Sequence, residues 1–325
     1  MSGLEHLLPL PRYARASERA AEQIIAAYSS SFGLATRLLG PRHRVHVRNI
    51  YALVRVADEL VDGAAEGAGL SNAQQHELLD QLERETERAT QWGYSSNPVV
   101  QAFCGTARAA GIDGELTGPF FASMRMDLEE NAAAPSGASL GSGIPLGADA
   151  PAPLGGFAES GPEHHARYVY GSAEVVGLMC LRVFMKDEAP SEREAAVLEH
   201  GARRLGAAFQ NVNFLRDLGD DRERLGRDYL SAGTRMDAAA QARWVATVRE
   251  QLADAAATLP LLPRDARVAV GCALRLFSEL TDRIADTPAE LLPRRRVRVG
   301  APRKALLALQ SVLEPNGPAS KEVAT

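Results

Sequence analysis

The chain is poor in aromatic residues and cysteine, carries no excess of positive charge and contains no long uninterrupted apolar run. Aromatics supply only 6% of its 325 residues, and β-branched clusters are scarce beside Ala, Leu, Arg and Glu. That balance disfavours a sheet-rich core and points to an all-α fold. The three cysteines, Cys104, Cys180 and Cys272, stand far apart among apolar neighbours. An odd, scattered set argues against a disulfide framework and suits packed thiols in a reducing compartment. With 41 acidic against 36 basic residues the net charge is −5, so no overall positive field would gather nucleic acid. No stretch approaches the roughly 18 apolar residues of a membrane span, and the start, "MSGLEHLLPLPRYARAS", lacks the basic-then-apolar order of a signal peptide. A cytoplasmic chain is expected. The segment "GAAEGAG" follows no apolar strand, so a Rossmann-type nucleotide site is not expected either.

What the chain has is apolar material, 46% of its residues, arranged at helical spacing. Helices are predicted over residues 17–39, ending at Gly40-Pro41, and over 42–62, ending at Gly63. Others are predicted at 73–91, 98–110, 114–130, 163–185, 191–218, 237–257, 264–286 and 301–314. Residues 131–162 break the pattern: Gly and Pro are frequent, only Asp149 and Glu159 are charged, and no period survives. We read 1–16 as an N-terminal segment, 17–314 as one domain with a flexible insertion at 131–162, and 315–325 as a disordered tail.

Two of these helices carry acids in an unusual pattern. Counting back from Asp62 by four, three and four gives Asp58, Arg55 and Tyr51, a polar line along an otherwise apolar helix. Gln210, Asn213, Asp217 and Asp221 repeat the arrangement at steps of three, four and four. Acids four residues apart destabilise a helix by a few tenths of a kcal/mol, and drawing them into a cleft costs more unless a cation compensates. The ordinary alternatives are solvated surface acids or salt bridges to Arg55 and Arg216. A divalent ion is the other solution: oxygen donors without His or Cys suit Mg²⁺, Mn²⁺ or Ca²⁺, and Mg²⁺ characteristically shares carboxylates with substrate phosphates.

Several stretches lie in the order and spacing of a known family. "SSSFGLATRLL", "IYALVRVADELVDG", "MRMDLEE", "YVYGSAEVVGLMCLRVF" and "FQNVNFLRDLGDDRERLGRDYL" resemble the squalene and phytoene synthases, which join two prenyl diphosphates head to head; "DELVDG" and "MRMDL" look more like the phytoene-forming members. The resemblance spans residues 17 to about 310. It implies a single-domain isoprenoid-synthase bundle with a central cavity, in which Asp58 and Asp62 face Asp217 and Asp221 and, with Asn213, hold Mg²⁺ (or Mn²⁺) against the substrates' diphosphates. It also implies that Tyr51 and Tyr168 belong to the active site. Ser29, Ser31, Arg55, Gln210, Asn213, Arg216 and Tyr229 would contact substrate, and Ala173, Val176 and Gly177 would line the cavity.

The implied reaction condenses two geranylgeranyl diphosphates through a cyclopropylcarbinyl diphosphate to phytoene, with no NADPH. A C30 synthase acting on farnesyl diphosphate is the nearest alternative. A non-catalytic lipid-binding or assembly factor is an alternative of another class, which the four intact aspartates disfavour. The basic run "RRRVRVGAPRK" at 294–304 can face an anionic membrane, capture diphosphate or, less readily, meet nucleic acid. His43 and His46 lie one turn apart without a third metal ligand nearby.

Overall fold

A computed structural model describes residues 8–133, 161–225 and 236–314, with the side chains of residues 30, 130–133, 161–162 and 219–225 excepted. The described residues are helical, with no strand among them. Helix α1 spans Pro9–Tyr28, α2 Ser30–Arg37, α3 Pro41–Val61, α4 Ala64–Gly67, α5 Asn72–Trp92, α6 Pro98–Ala110 and α7 Gly114–Ala133. Then come α8 Gly161–Val169, a π-helical turn Tyr170–Glu174, α9 Val175–Met185, α10 Glu192–Leu225, α11 Ala238–Ala257, α12 Arg264–Ala285 and α13 Ala301–Leu313.

Local chemistry explains most boundaries. Proline opens α3 and α6, where its missing N–H costs nothing. Ser71 and Gln74 form a capping box at the start of α5, and Asn97 caps α6 through the Val99 N–H at 3.0 Å. Gly93 and Gly111 end α5 and α6 with φ of 79° and 65°.

The structure departs from the sequence reading at the N-terminus. Helicity begins at Pro9 rather than Ser17, and the single helix expected over 17–39 is two helices. Ser29 is extended at the break (φ −142°, ψ 117°) because its hydroxyl accepts the Phe32 N–H at 3.1 Å and caps α2. Most of the insertion, residues 134–160, and the tail 315–325 lie outside the described residues.

The core lies among α3, α6, α9, α10 and α12, where Leu53, Phe103, Val183, Leu215 and Cys272 are all 1% exposed or less. The run Glu163–Met185 is long and apolar enough to cross a membrane by length and composition, yet half of its apolar window is buried inside the bundle. Tyr168, Val175, Met179 and Val183 on that run are core residues. All three cysteines are free, and burial pushes each thiol up, Cys180 to about 12. His43 is fully buried, edge-on to Phe184 and 3.3 Å from Asp265, while His46 Nδ1 meets the Thr106 hydroxyl at 3.0 Å. Both histidines thus serve packing, and burial lowers the pKa of each.

Candidate active site

A cavity of 350 Å³ runs between α2, α3, α9, α10 and α12. Its wall changes character along the helices. On α3 the lining residues are, in chain order, Val47, Ile50, Tyr51, Val54, Arg55 and Asp58; on α10 they run from Leu198 and Ala202 through Phe209 to Gln210, Asn213 and Arg216. Each helix therefore passes from an apolar stretch to a polar one, so the cavity is an oily body with a charged end. Helix α9 closes the wall by running back against α10. A Cβ on Gly177 would strike the Ala202 carbonyl oxygen, and one on Gly206 the Ala173 carbonyl oxygen, so the two helices approach this closely only through glycine. Ala173, Val176 and Gly177 lie on the cavity wall.

Asp58 is 9% exposed, and among the described residues no side chain hydrogen-bonds to it. Burial is the main reason its carboxyl is pushed up from 3.8 to about 7; Arg55 opposes the shift, and Asp62 and Glu59 add to it. Tyr51 is raised to about 12, again chiefly by burial. Arg55 is paired with Glu59 one turn on, and its guanidinium lies 4.3 Å from the Tyr28 ring centroid. Asp62 sits at the C-cap of α3, its N–H donating to the Asp58 carbonyl at 3.0 Å, and is not on the cavity wall. Asp217 is also off the wall: its side chain is fully buried and held by two arginines. Arg216 Nε and Nη2 donate to it at 2.9 and 2.6 Å, and Arg296 Nε stands 3.1 Å from Oδ1. Among the described residues no three His, Cys, Asp or Glu side chains converge.

The other expected residues divide. Ser29, Ser31, Gln210, Asn213 and Arg216 reach the cavity, and the Gln210 amide nitrogen is buried there without a hydrogen-bond partner. Tyr168 does not: it is 1% exposed in a satellite cluster with Phe214, where its hydroxyl donates to buried Asp127 at 3.2 Å. The register of α8 turns its ring away from the wall that Ser172 and Ala173 supply. Tyr229 and the side chain of Asp221 lie outside the described residues.

The sequence profile of the family described as squalene/phytoene synthase matches residues 25–303. The chain belongs to the squalene/phytoene synthase family. It is 28% identical to a 15-cis-phytoene synthase of Synechocystis over 306 residues, covering 87% of this chain and 81% of that enzyme. It is 30% identical to a phytoene synthase of Arthrospira platensis over 64% of this chain, spanning 59% of the relative's length. A crystal structure of a dehydrosqualene synthase in complex with ligand superposes with a TM-score of 0.68 at 22% identity, covering 94% of this chain and 98% of that one. The fold is the one the resemblance implied.

The structure adds wall residues that the sequence reading did not assign. The basic run splits: Arg296, Arg298 and Lys304 line the cavity, whereas Arg294 and Arg295 point to solvent. Ser172 presents a buried hydroxyl with no partner. Phe209 stacks on Phe277 with centroids 3.8 Å apart, and Phe32 packs edge-on to Phe209 at 5.4 Å, giving the oily body an aromatic side. The only sequence signal for these rings was their apolar helical spacing, which ordinary core residues share.

Proposed function

We propose that the protein is a phytoene synthase that condenses two geranylgeranyl diphosphates head to head, releasing two diphosphates and two protons, one as the cyclopropane closes and one as the central triene forms. The observation that carries this reading is the cavity itself, whose charged end gathers Asp58, Arg55, Arg216 and Arg296 while the remainder is apolar and partly aromatic. The relatives' names favour the C20 substrate.

The donor set fits a divalent cation. Asp58 is a buried carboxyl without sufficient counter-charge, which is why it holds its proton to about pH 7. Asp58 and Asp62 from α3, with Asn213, Asp217 and Asp221 from α10, would hold Mg²⁺ or Mn²⁺. When bound, the metal supplies Lewis-acid stabilisation of the charge that develops on departing diphosphate oxygens. Arg55, Arg216 and Arg296 add fixed positive charge at the same end, and the Gln210 amide offers a donor to a diphosphate oxygen. The apolar body holds both prenyl chains and keeps water from an allylic cation, while the faces of Phe32, Phe209 and Phe277 favour positive charge beside them. The sequence ends in proton loss and draws on no NADPH.

A C30 reaction on farnesyl diphosphate is the second reading, favoured by the fold shared with a dehydrosqualene synthase. Purified protein incubated with Mg²⁺ and either geranylgeranyl or farnesyl diphosphate, followed by mass analysis of the extracted hydrocarbon, separates the two. A C40 triene from the C20 substrate supports the proposal, and a C30 product from farnesyl diphosphate alone replaces it with the second reading. No hydrocarbon from either substrate refutes both and leaves a non-catalytic lipid-binding role.

A further inference from the structure

Helix α13 is amphipathic with its outer side inverted. Its inner side is conventional: Leu307 and Ser311 are buried, Ala308 packs on the core, and Arg303 bonds Glu279 at 2.8 Å. The outer side presents Pro302, Ala305, Leu306, Leu309, Val312 and Leu313, with no charged group among them. The four larger ones are 44%, 55%, 53% and 72% exposed. A solvent-facing helix side is ordinarily polar, and a contiguous apolar face marks a contact surface.

The segment leading into α13, a short 3-10 turn followed by residues without regular structure, carries exposed Arg294 and Arg295, neither of them in an ion pair among the described residues. The exposed acids nearest in sequence are Asp286, Glu290 and Glu314, and Glu314 is already held by Arg275 at 3.0 Å. Leu291, just before the arginines, is 40% exposed. An apolar face flanked by uncompensated arginines is poorly suited to a second copy of itself, because the like charges would meet. It matches a surface that is oily within and anionic at its rim.

We propose that the outer face of α13, with Arg294 and Arg295, docks on an anionic lipid bilayer. Leu306, Leu309, Val312 and Leu313 enter the headgroup–acyl boundary while the arginines meet lipid phosphates. The inner side of the same helix supplies Lys304 to the cavity wall beside Arg296 and Arg298, so docking sets the cavity's charged rim close to the membrane. The proposal stands on the geometry of α13 and holds for any lipid substrate of the cavity.

Vesicle co-flotation of the full chain tests it, using phosphatidylcholine alone and phosphatidylcholine with phosphatidylglycerol. The wild type is expected to float with the anionic vesicles and to be released by salt. The double variant Leu306→Ser/Leu309→Ser should lose binding by about tenfold or more, and Arg294→Gln/Arg295→Gln by about twentyfold. Leu313→Ser, at the helix end, provides a milder apolar variant, and circular dichroism checks that each remains folded. Absence of wild-type binding, or binding that folded leucine variants retain in full, overturns the proposal. So does a dimer in sedimentation analysis that the leucine variants dissociate while vesicles leave the wild type unbound. Flotation needs no turnover, so its outcome is separate from that of the product assay.

Discussion

Arg296, from the non-helical segment before α13, places its Nε 3.1 Å from Oδ1 of Asp217 on α10. Together with Arg216 it neutralises a carboxylate that is otherwise sealed from water. Removing one partner of a buried ion pair leaves charge uncompensated. Arg296→Gln is therefore expected to lower metal-free stability by about 1–3 kcal/mol, since Arg216 remains. The proposed Mg²⁺ competes with Arg296 for Asp217, so Mg²⁺ should raise the Tm of the variant by more than that of the wild type. Urea unfolding and thermal scans with and without Mg²⁺ measure both effects, and an equal Mg²⁺ response in the two proteins contradicts the competition.

Asp58 predicts a pH dependence of definite sign. Its folded pKa is raised from 3.8 to about 7, mainly by burial, so between those values the folded state keeps a proton that the unfolded state has released. Its favourable contribution is complete below about pH 4 and is lost as pH rises to about 7. In chelator, the stability of the wild type relative to Asp58→Asn should therefore fall across that window and level off above it. Urea titrations of both proteins over this range check the sign. A gap that widens in favour of the wild type as pH rises contradicts it.

Two glycines should respond oppositely to alanine. At Gly177 the added methyl meets the Ala202 backbone carbonyl on α10, and backbone cannot step aside as a flexible side chain can. Gly177→Ala should cost about 1–3 kcal/mol and narrow the cavity. Gly105 is exposed within α6, with open space around its Cβ position, so Gly105→Ala should stabilise by about 0.5–1 kcal/mol. Denaturant midpoints for the two variants provide the test, and a shift in the same direction for both contradicts the close packing of α9 on α10.

How far the sequence foretold the site follows from the range of each signal. Tyr51, Arg55 and Asp58 share a face because the helical period alone puts them there, and all three reach the cavity. The same period could not place Asp62, because α3 ends at Val61 and the cap residue has left the helical path. It also gave no account of Asp217, whose orientation depends on Arg296, 79 positions away in a segment with no period. The break at Ser29 was legible in principle: a serine three residues before Phe32 is a capping position, although three successive serines disguise which one caps. Tyr168 shows the limit of a family pattern, since a motif fixes a residue's neighbours in sequence but not which side of α8 faces the cavity.

The most direct test of the central claim, that the Asp58-bearing end of the cavity drives diphosphate release, is Mg²⁺-dependent hydrocarbon formation from geranylgeranyl diphosphate by the wild type and by Asp58→Asn. The account predicts C40 product from the wild type, its loss on chelation, and at least about a hundredfold lower rate in the variant with unchanged helicity. A folded Asp58→Asn enzyme turning over at close to the wild-type rate would contradict it.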